Sequence, residues 1–178
     1  MLKIFTTQLA GQLQSIQGNE EYSIEDGARL LAQAAVSQGT IYIHGFKELQ
    51  GVYLQASQSD EKLVAAKPLF QEDGRMADLT SADRVLLFTH LSTDSEAIEL
   101  AGELAAKGAS VVGVSALVKS EEPGLSSAVD IHIDSKLKKP LIPDEDGTRF
   151  GFPALITSLY VYFALSFALK EMLAEYMD

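Results

Sequence analysis

Short apolar runs alternate with helical patterns along most of this chain. Five of these runs predict buried β-strands, at 40–44, 62–66, 85–89, 110–114 and 129–133. Most are continuously apolar, which is typical of parallel strands that are covered on both faces. Strands separated by helices predict an α/β fold with right-handed crossovers. We therefore expect a doubly wound, three-layer sandwich around a five-stranded parallel sheet with strand order 2-1-3-4-5.

Helical patterns lie before, between and after these runs, at 2–16, 24–38, 48–57, 94–107 and 153–176. Gly39 and Gly108 follow two of them, where glycine is a fitting helix stop. The polar stretch 134–147 contains two prolines and predicts a loop or arm. We expect one domain over residues 1–178, with N-terminal helices in 1–38, an α/β core in 39–134 and a C-terminal helix in 150–178.

Composition and charge narrow the classes of partner. The net charge of −11 argues against nucleic acid and anionic membranes as partners, because both attract basic surfaces. The chain has no cysteine, which excludes disulfides, zinc–thiolate sites and thiol catalysis. Its first residues lack the pattern of a signal peptide, so the expected location is the cytoplasm. Nothing in the sequence calls for a metal or another cofactor.

The last predicted helix is unusually apolar. Residues 150–169 contain no charged residue, and the run is long enough to cross a bilayer. Hydroxyl groups interrupt it, however, and the rest of the chain predicts a complete α/β domain, so we expect a buried helix. Its apolar residues cover more than one helical face, which predicts burial in a homodimer interface. The residues expected there include Leu155, Ile156, Leu159, Tyr162, Phe163, Phe167 and Leu169.

The stretch from Thr89 to Glu96 is the strongest candidate for a binding site. It connects the third strand run to the helix that follows and is rich in hydroxyl groups. A helix N-terminus has unpaired backbone N–H groups and a partial positive charge, so it can hold an anion without basic side chains. We predict that this loop binds the phosphate of a small ligand through Ser92, Thr93, Asp94 and Ser95, with Lys47 adding one charged contact.

The same loop allows a second interpretation. Thr93 and Glu96 have the spacing of a capping box, in which a hydroxyl and a carboxylate satisfy the first free N–H groups of the helix. In that case the loop would stabilise the helix and need no ligand.

Two histidines follow strands that should be neighbours. His44 ends the first predicted strand and His90 follows the third, so we expect both at the mouth of one cleft. With Glu48 they could move a proton between adjacent carbons, as aldose–ketose isomerisation requires. A metal held by His44, His90 and Asp94 is weakly supported, because no metal-binding motif accompanies them. His132 lies inside the fifth strand, where we expect it to be packed and hydrogen-bonded.

These segments resemble the sugar isomerase (SIS) domain family, which includes phosphoheptose isomerases and sugar-phosphate-responsive regulators. The segment RVLLFTHLSTDSEAIELAGELAAKGASVVGVSA is similar to the family's strand, phosphate loop, long helix, Lys-Gly turn and next strand. The segment TIYIHGFKELQGVYLQA is similar to its first strand and glycine-bearing loop, which here keeps Gly45. The chain looks most like a small SIS-like branch of Bacillus-type bacteria.

The resemblance implies a flavodoxin-like SIS fold and a phosphosugar-binding protein. The chain departs from the family in its phosphate loop, which has no glycine between Thr89 and Gly102, and in lacking a clear match to the catalytic residues of phosphoheptose isomerases. Phosphosugar binding is therefore the first hypothesis. An isomerase of the phosphoheptose isomerase type, and a structural or regulatory dimer with a vestigial pocket, are the alternatives.

Overall fold

The computed structural model describes residues 1–177, which form a sheet of parallel strands between two layers of helices. The helices are α1 (Leu2–Asn19), α2 (Glu21–Val36), α3 (Gln50–Gln58), α4 (Ser95–Ala106), α5 (Leu125–Ala128) and α6 (Ala154–Met177). The strands are β1 (Ile41–Gly45), β2 (Ala66–Pro68), β3 (Arg84–Leu91), β4 (Ser110–Ala116), β5 (Ile131–Asp134), β6 (Ile142–Pro143) and β7 (Arg149–Phe150). A 3-10 turn, Lys47–Leu49, leads into α3.

The main sheet has the strand order β2-β1-β3-β4-β5, and all of its strand pairs are parallel. This confirms the predicted architecture. In the register of β1 against β3, His44 is opposite Leu87 and Gly45 is opposite Phe88. The two strands therefore end close together at one edge of the sheet, with β3 continuing beyond β1.

Each face of the sheet has its own apolar core. On one face, Ile41, Phe88 and Val112 belong to a core that includes residues of α2, α3 and α6. On the other, Val85, Leu87 and residues of α4 and α5 form a smaller core. Because successive side chains of a strand point to opposite faces, a sheet covered on both faces needs apolar residues at nearly every position. This explains the continuously apolar runs of the sequence.

The second strand is displaced from its predicted position. The run 62–66 predicts the strand, whereas β2 covers Ala66–Pro68. Ala65 has a positive φ of 57°, and the N–H of Ala66 donates to the carbonyl of Leu63, so the preceding residues form a turn. Pro68 is tolerated because β2 is an edge strand. The apolar residues of 62–66 are therefore a misleading signal.

The polar stretch 134–147 is tied down at both of its ends. Lys136 donates to Glu20, at 2.5 Å, and to Asp134, at 3.1 Å, which fixes the end of β5 to the junction of α1 and α2. Burial lowers the pKa of Lys136, but these two carboxylates outweigh it and raise that pKa above its ordinary value. The rest of the stretch, predicted as loop or arm, contains β6, which pairs with β7 in a short antiparallel hairpin.

Helix α6 lies against α2 and the sheet rather than standing apart. It is long and apolar enough to cross a membrane, yet Val161, Tyr162, Leu165 and Leu169 are buried inside the protein itself. The expectation that Tyr162 and Leu169 face a partner subunit is therefore wrong, because the core of the same chain covers them. Ile156 and Phe167 are 44% and 59% exposed and stay available for another surface.

Candidate functional site

The candidate site lies where the chain leaves β1 and β3 in opposite directions. After β1 the chain enters α3, whose Val52 and Ala56 pack in one core, whereas after β3 it enters α4, whose Ala97 and Leu100 pack in the other. Helices that depart to opposite faces leave a crevice between the two strand ends, and this is where ligands bind in doubly wound sheets.

A crevice of about 190 Å³ occupies this point. Its walls come from the loop after β1, the end of β3 and the first turn of α4, and they consist of Phe46, Lys47, Thr89, His90, Asp94, Ser95 and Glu96. Lys47, His90, Asp94 and Ser95 are among the residues predicted at a site, so the fold brings four of them together.

Asp94 organises the loop after β3. Its Oδ2 accepts hydrogen bonds from the hydroxyl of Thr89, at 2.6 Å, and from the N–H of Leu91, at 3.0 Å. Asp94 is also the N-cap residue of α4, and no side-chain hydrogen bond caps this helix. The capping-box interpretation of Thr93 and Glu96 is therefore wrong, because the loop carboxylate turns back toward the strand.

The first turn of α4 keeps free backbone donors. The N–H groups of Ala97 and Ile98 both donate to the carbonyl of Asp94. Among residues 1–177, the N–H groups of Thr93, Ser95 and Glu96 have no acceptor. Free N–H groups and the positive end of the helix dipole favour an anion at this position.

Ser92 does not line the crevice. It is buried, its hydroxyl oxygen accepts from the N–H of Val118 at 2.9 Å, and its carbonyl accepts from Leu125. These bonds tie the loop to the segments that follow β4. The structure therefore gives Ser92 a positioning role and does not bring its hydroxyl to the crevice, where the sequence predicts it.

The loop after β1 approaches the strand closely at Gly45. A β-carbon on Gly45 would lie 2.2 Å from the carbonyl oxygen of Leu49, which only glycine avoids. Lys47 follows with a positive φ of 54°, an unusual conformation for a residue with a side chain. The tight turn places the exposed Lys47 side chain on the crevice wall. Gly45 therefore shapes this wall and is not itself in contact with the opening.

His90 and Glu48 form a hydrogen-bonded pair beside the crevice. The His90 Nε2 lies 2.7 Å from Glu48 Oε1, and the His90 ring also packs edge-on against Phe152. Burial alone raises the pKa of Glu48, but its own backbone N–H, the His90 ring and the charge of Lys47 outweigh this and lower the pKa. Glu48 is therefore a carboxylate at neutral pH and orients the His90 ring.

His44 does not join this pair. Its ring packs edge-on against Phe46 and Phe70, which belong to the α4 face of the sheet, whereas Phe152 beside His90 packs on the other face. The two strands are neighbours as expected, but the alternation of side chains separates the two rings. Burial lowers the pKa of His44, so the ring is neutral at pH 7. The prediction that both histidines share one cleft is corrected to His90 alone.

His132 is packed and hydrogen-bonded, as expected from its position inside β5. Its Nε2 lies 2.8 Å from the hydroxyl oxygen of Ser115, and burial lowers its pKa despite the nearby carboxylates of Asp134 and Glu20. The sequence reasoning missed Phe46 and Phe152 as neighbours of the site. An aromatic residue directly after a strand is the available signal for Phe46, whereas Phe152 is distant in sequence.

Three solved structures with low sequence identity share this fold. An E. coli CFT073 protein, c3406, in complex with a sugar phosphate is 15% identical with a TM-score of 0.61, over 95% of this chain and 89% of that one. The sugar isomerase domain of the RpiR transcription factor from Sphaerobacter thermophilus is 10% identical with a TM-score of 0.60, over 96% and 91%. The Vibrio vulnificus NanR protein complexed with ManNAc-6P is 16% identical with a TM-score of 0.56, over 99% and 64%.

Sequence comparison identifies a much nearer relative. The Bacillus subtilis (strain 168) protein named "Uncharacterized protein YwjG" is 54% identical over 176 residues, which are 99% of each chain. Residues 1–173 match the model of the family described as a domain of unknown function, DUF2529. The structural neighbours are SIS-domain proteins, so the resemblance drawn from the sequence is confirmed at the level of the fold. The chain therefore belongs to the DUF2529 family and has the SIS fold.

Proposed function

We propose that the protein binds a sugar phosphate and holds its phosphate group in the crevice between β1 and β3. The observation that carries this proposal is the first turn of α4, where three N–H groups without acceptors among residues 1–177 stand at the helix end that lines the opening. Lys47 supplies a positive charge from the opposite wall, and a charge-assisted contact to phosphate is stronger than a neutral one.

The structural neighbours support the ligand class. Two of them are complexes with sugar phosphates, and the ligand of the Vibrio vulnificus protein is ManNAc-6P. The crevice volume of about 190 Å³ is below the roughly 300–1,000 Å³ of typical small-molecule sites. We infer that the crevice accommodates the phosphate end and that the sugar extends outside it, past His90.

Calorimetric titration with fructose 6-phosphate tests the proposal, with fructose as the matched ligand that lacks the phosphate. Ser95→Ala should weaken binding by about 10- to 150-fold, because it removes a donor to a charged group. Ser126→Ala, an exposed serine on α5, is the control and should bind as the parent does. Equal binding of fructose and its phosphate would contradict the proposal.

Removal of single charges around the crevice gives a second, directional test. Lys47→Gln should weaken binding, whereas Glu96→Gln should strengthen it, because Glu96 lines the same opening and repels an anion. Opposite signs from two neighbouring substitutions exclude a general loss of structure. A common direction for both would show that the phosphate does not lie between them.

The pair formed by His90 and Glu48 favours an aldose–ketose isomerase as a second candidate. Isomerisation needs one group that moves a proton between adjacent carbons and one that orients it. Glu48, hydrogen-bonded at 2.7 Å, would position His90 for that transfer. His90→Asn should then abolish turnover of sedoheptulose 7-phosphate or fructose 6-phosphate while leaving binding within a few-fold of the parent. Binding without turnover in the parent would favour a non-catalytic binder or a regulatory protein with a vestigial site.

We also propose that the protein is a soluble, cytoplasmic homodimer that associates through the outward face of α6. Ile156, Leu159, Phe163 and Phe167 recur at helical spacing on the side of α6 opposite its buried residues. A continuous apolar face of this kind marks an interaction surface.

Sedimentation experiments test the dimer. Phe167→Glu should convert it to a monomer, because a charge would then lie in the apolar interface. Val36→Glu places the same side chain at another exposed apolar position, at the end of α2, and is the control. A parent that sediments as a monomer at micromolar concentration contradicts the proposal.

A further inference from the structure

The largest cavity of the protein is a groove on the other side of the molecule. It has a volume of about 830 Å³, lies between α2 and the second half of α6, and shares no lining residue with the crevice. We call it the α2–α6 groove. Its floor consists of Ile24, Ala32, Tyr160, Ala164, Ala168 and Met172.

The floor is shaped for a helix. Ala164 and Ala168 are one helical turn apart on α6, and Ala32 faces them from α2. Three alanines give a shallow floor along which another helix can approach closely, and Met172 at one end is a side chain that adapts to different partners. A peptide helix that lies in a groove between two helices uses an apolar face of this width.

The rim of the groove is strongly acidic. Glu21, Glu25, Glu171 and Glu175 line it, with Arg29 as the single basic residue, so four acids and one base leave a net charge of −3. Arg29 is already paired with Glu25, at 2.7 Å, and with Asp26, at 2.6 Å. The rim therefore presents uncompensated negative charge on both sides of an apolar floor.

This charge argues against a second copy of the chain as the occupant. Two such grooves facing each other across a two-fold axis would place acidic rims together. Among residues 1–177, no helix carries more than one lysine or arginine, so the chain offers no basic helix of its own. The outward face of α6 proposed for dimerisation lies on a different side of that helix and leaves the groove open.

From this combination we propose that the α2–α6 groove binds a basic amphipathic helix of a different protein. The apolar face of that helix would lie on the alanines and Met172, and its lysines or arginines would meet the glutamates of the rim. This is a protein-docking function, independent of the crevice. It would give a sugar-phosphate-binding domain a second surface through which to act.

Fluorescence anisotropy with a labelled 18-residue Leu/Lys amphipathic peptide tests this surface on the full chain. The same residues in scrambled order, and a peptide with Glu in place of Lys, are the matched ligands and should bind at least about tenfold more weakly. The double variant Glu21→Gln/Glu171→Gln should weaken binding about three- to tenfold. The control variant Glu99→Gln/Glu103→Gln makes the same charge change on the exposed face of α4 and should change binding less than twofold.

Ala168→Arg blocks the floor and should reduce binding at least about tenfold, with circular dichroism to verify the fold. Three results would overturn the proposal. One is absence of peptide binding, and another is equal weakening by the rim and control variants, which would indicate attraction to the overall charge. The third is a self-associating parent that Ala168→Arg makes monomeric, because the groove would then hold a second copy.

Discussion

The crevice and the α2–α6 groove differ in almost every physical property. The crevice measures about 190 Å³, is lined by polar groups and is built largely from backbone at the ends of two strands. The groove measures about 830 Å³, has an apolar floor and is built from side chains on two helices. The larger space therefore has the character of a protein-binding surface, whereas the smaller one concentrates donors and a titratable pair. In this fold, backbone geometry rather than cavity size indicates where small-molecule chemistry belongs.

If backbone geometry builds the crevice, a change at Gly45 should have the largest effect. Gly45→Ala places a β-carbon 2.2 Å from the Leu49 carbonyl and should destabilise the protein by about 3 kcal/mol while displacing Lys47. Gly102→Ala is the matched control, because nothing lies within 4 Å of that position in α4, and it should stabilise by about 0.5–1 kcal/mol. Urea denaturation measures both. Similar effects at the two glycines would show that the close approach is not rigid.

The next effect concerns the carboxylate that organises the loop after β3. Asp94→Ala leaves the hydroxyl of Thr89 and the N–H of Leu91 without their acceptor, and should cost about 1–3 kcal/mol of stability. Sugar-phosphate affinity should fall as well, because the free N–H groups lose their fixed positions. Asp94→Asn keeps an acceptor oxygen and should recover most of the stability. Thermal melting and calorimetry together check this, and an unaffected affinity in Asp94→Ala would separate the loop from the site.

The pH dependence of stability distinguishes His44, behind the crevice, from the residues that line it. Burial lowers the pKa of His44 in the folded state, so below about pH 6.5 the unfolded chain binds more protons and stability falls. The contribution is complete above that pH and is lost as the pH falls toward the lowered value. His132 has the same sign. In urea denaturation from pH 7.5 to 5.0, His44→Leu should flatten the curve, and parallel curves would contradict the burial of this ring.

The smallest effect is expected in the groove. Glu171→Gln/Glu175→Gln alters exposed side chains near the C-terminal end of α6, and should change the free energy of unfolding by less than about 0.5 kcal/mol. Its sign should be stabilising, because removing acids from a helix C-terminus relieves repulsion with the helix dipole. Fructose 6-phosphate affinity should match the parent. A change in that affinity would show that the groove and the crevice are coupled rather than independent.

Much of the fold followed from local patterns. The strand order, the two-sided core and the position of α4 were all predicted, because apolar runs and helical periodicity reflect burial directly. The second strand was misplaced because an apolar run at 62–66 forms a turn, whereas the short edge strand that follows contains Lys67 and Pro68. Edge strands pair on one side only, so their sequences carry the weakest signal.

The candidate site was predicted only in outline. Sequence order placed Lys47, His90, Asp94 and Ser95 at the ends of neighbouring strands, and the structure brings these four to one crevice. It could not show that Ser92 bonds to the segment after β4, because that contact joins residues 26 positions apart. Nor could it assign the two histidine rings to opposite faces without knowing where β1 and β3 are in register.

By itself, the sequence determined the fold class, the strand order and the helix N-terminus that favours an anion, since all three depend on periodicity and on residues close together in the chain. The tertiary structure decided which side chains share the crevice and that Asp94 braces the loop instead of capping the helix. It also decided that Tyr162 and Leu169 are covered by their own chain and that an acidic groove lies between α2 and α6. Those features depend on the register of neighbouring strands and the rotation of packed helices, which distant contacts set.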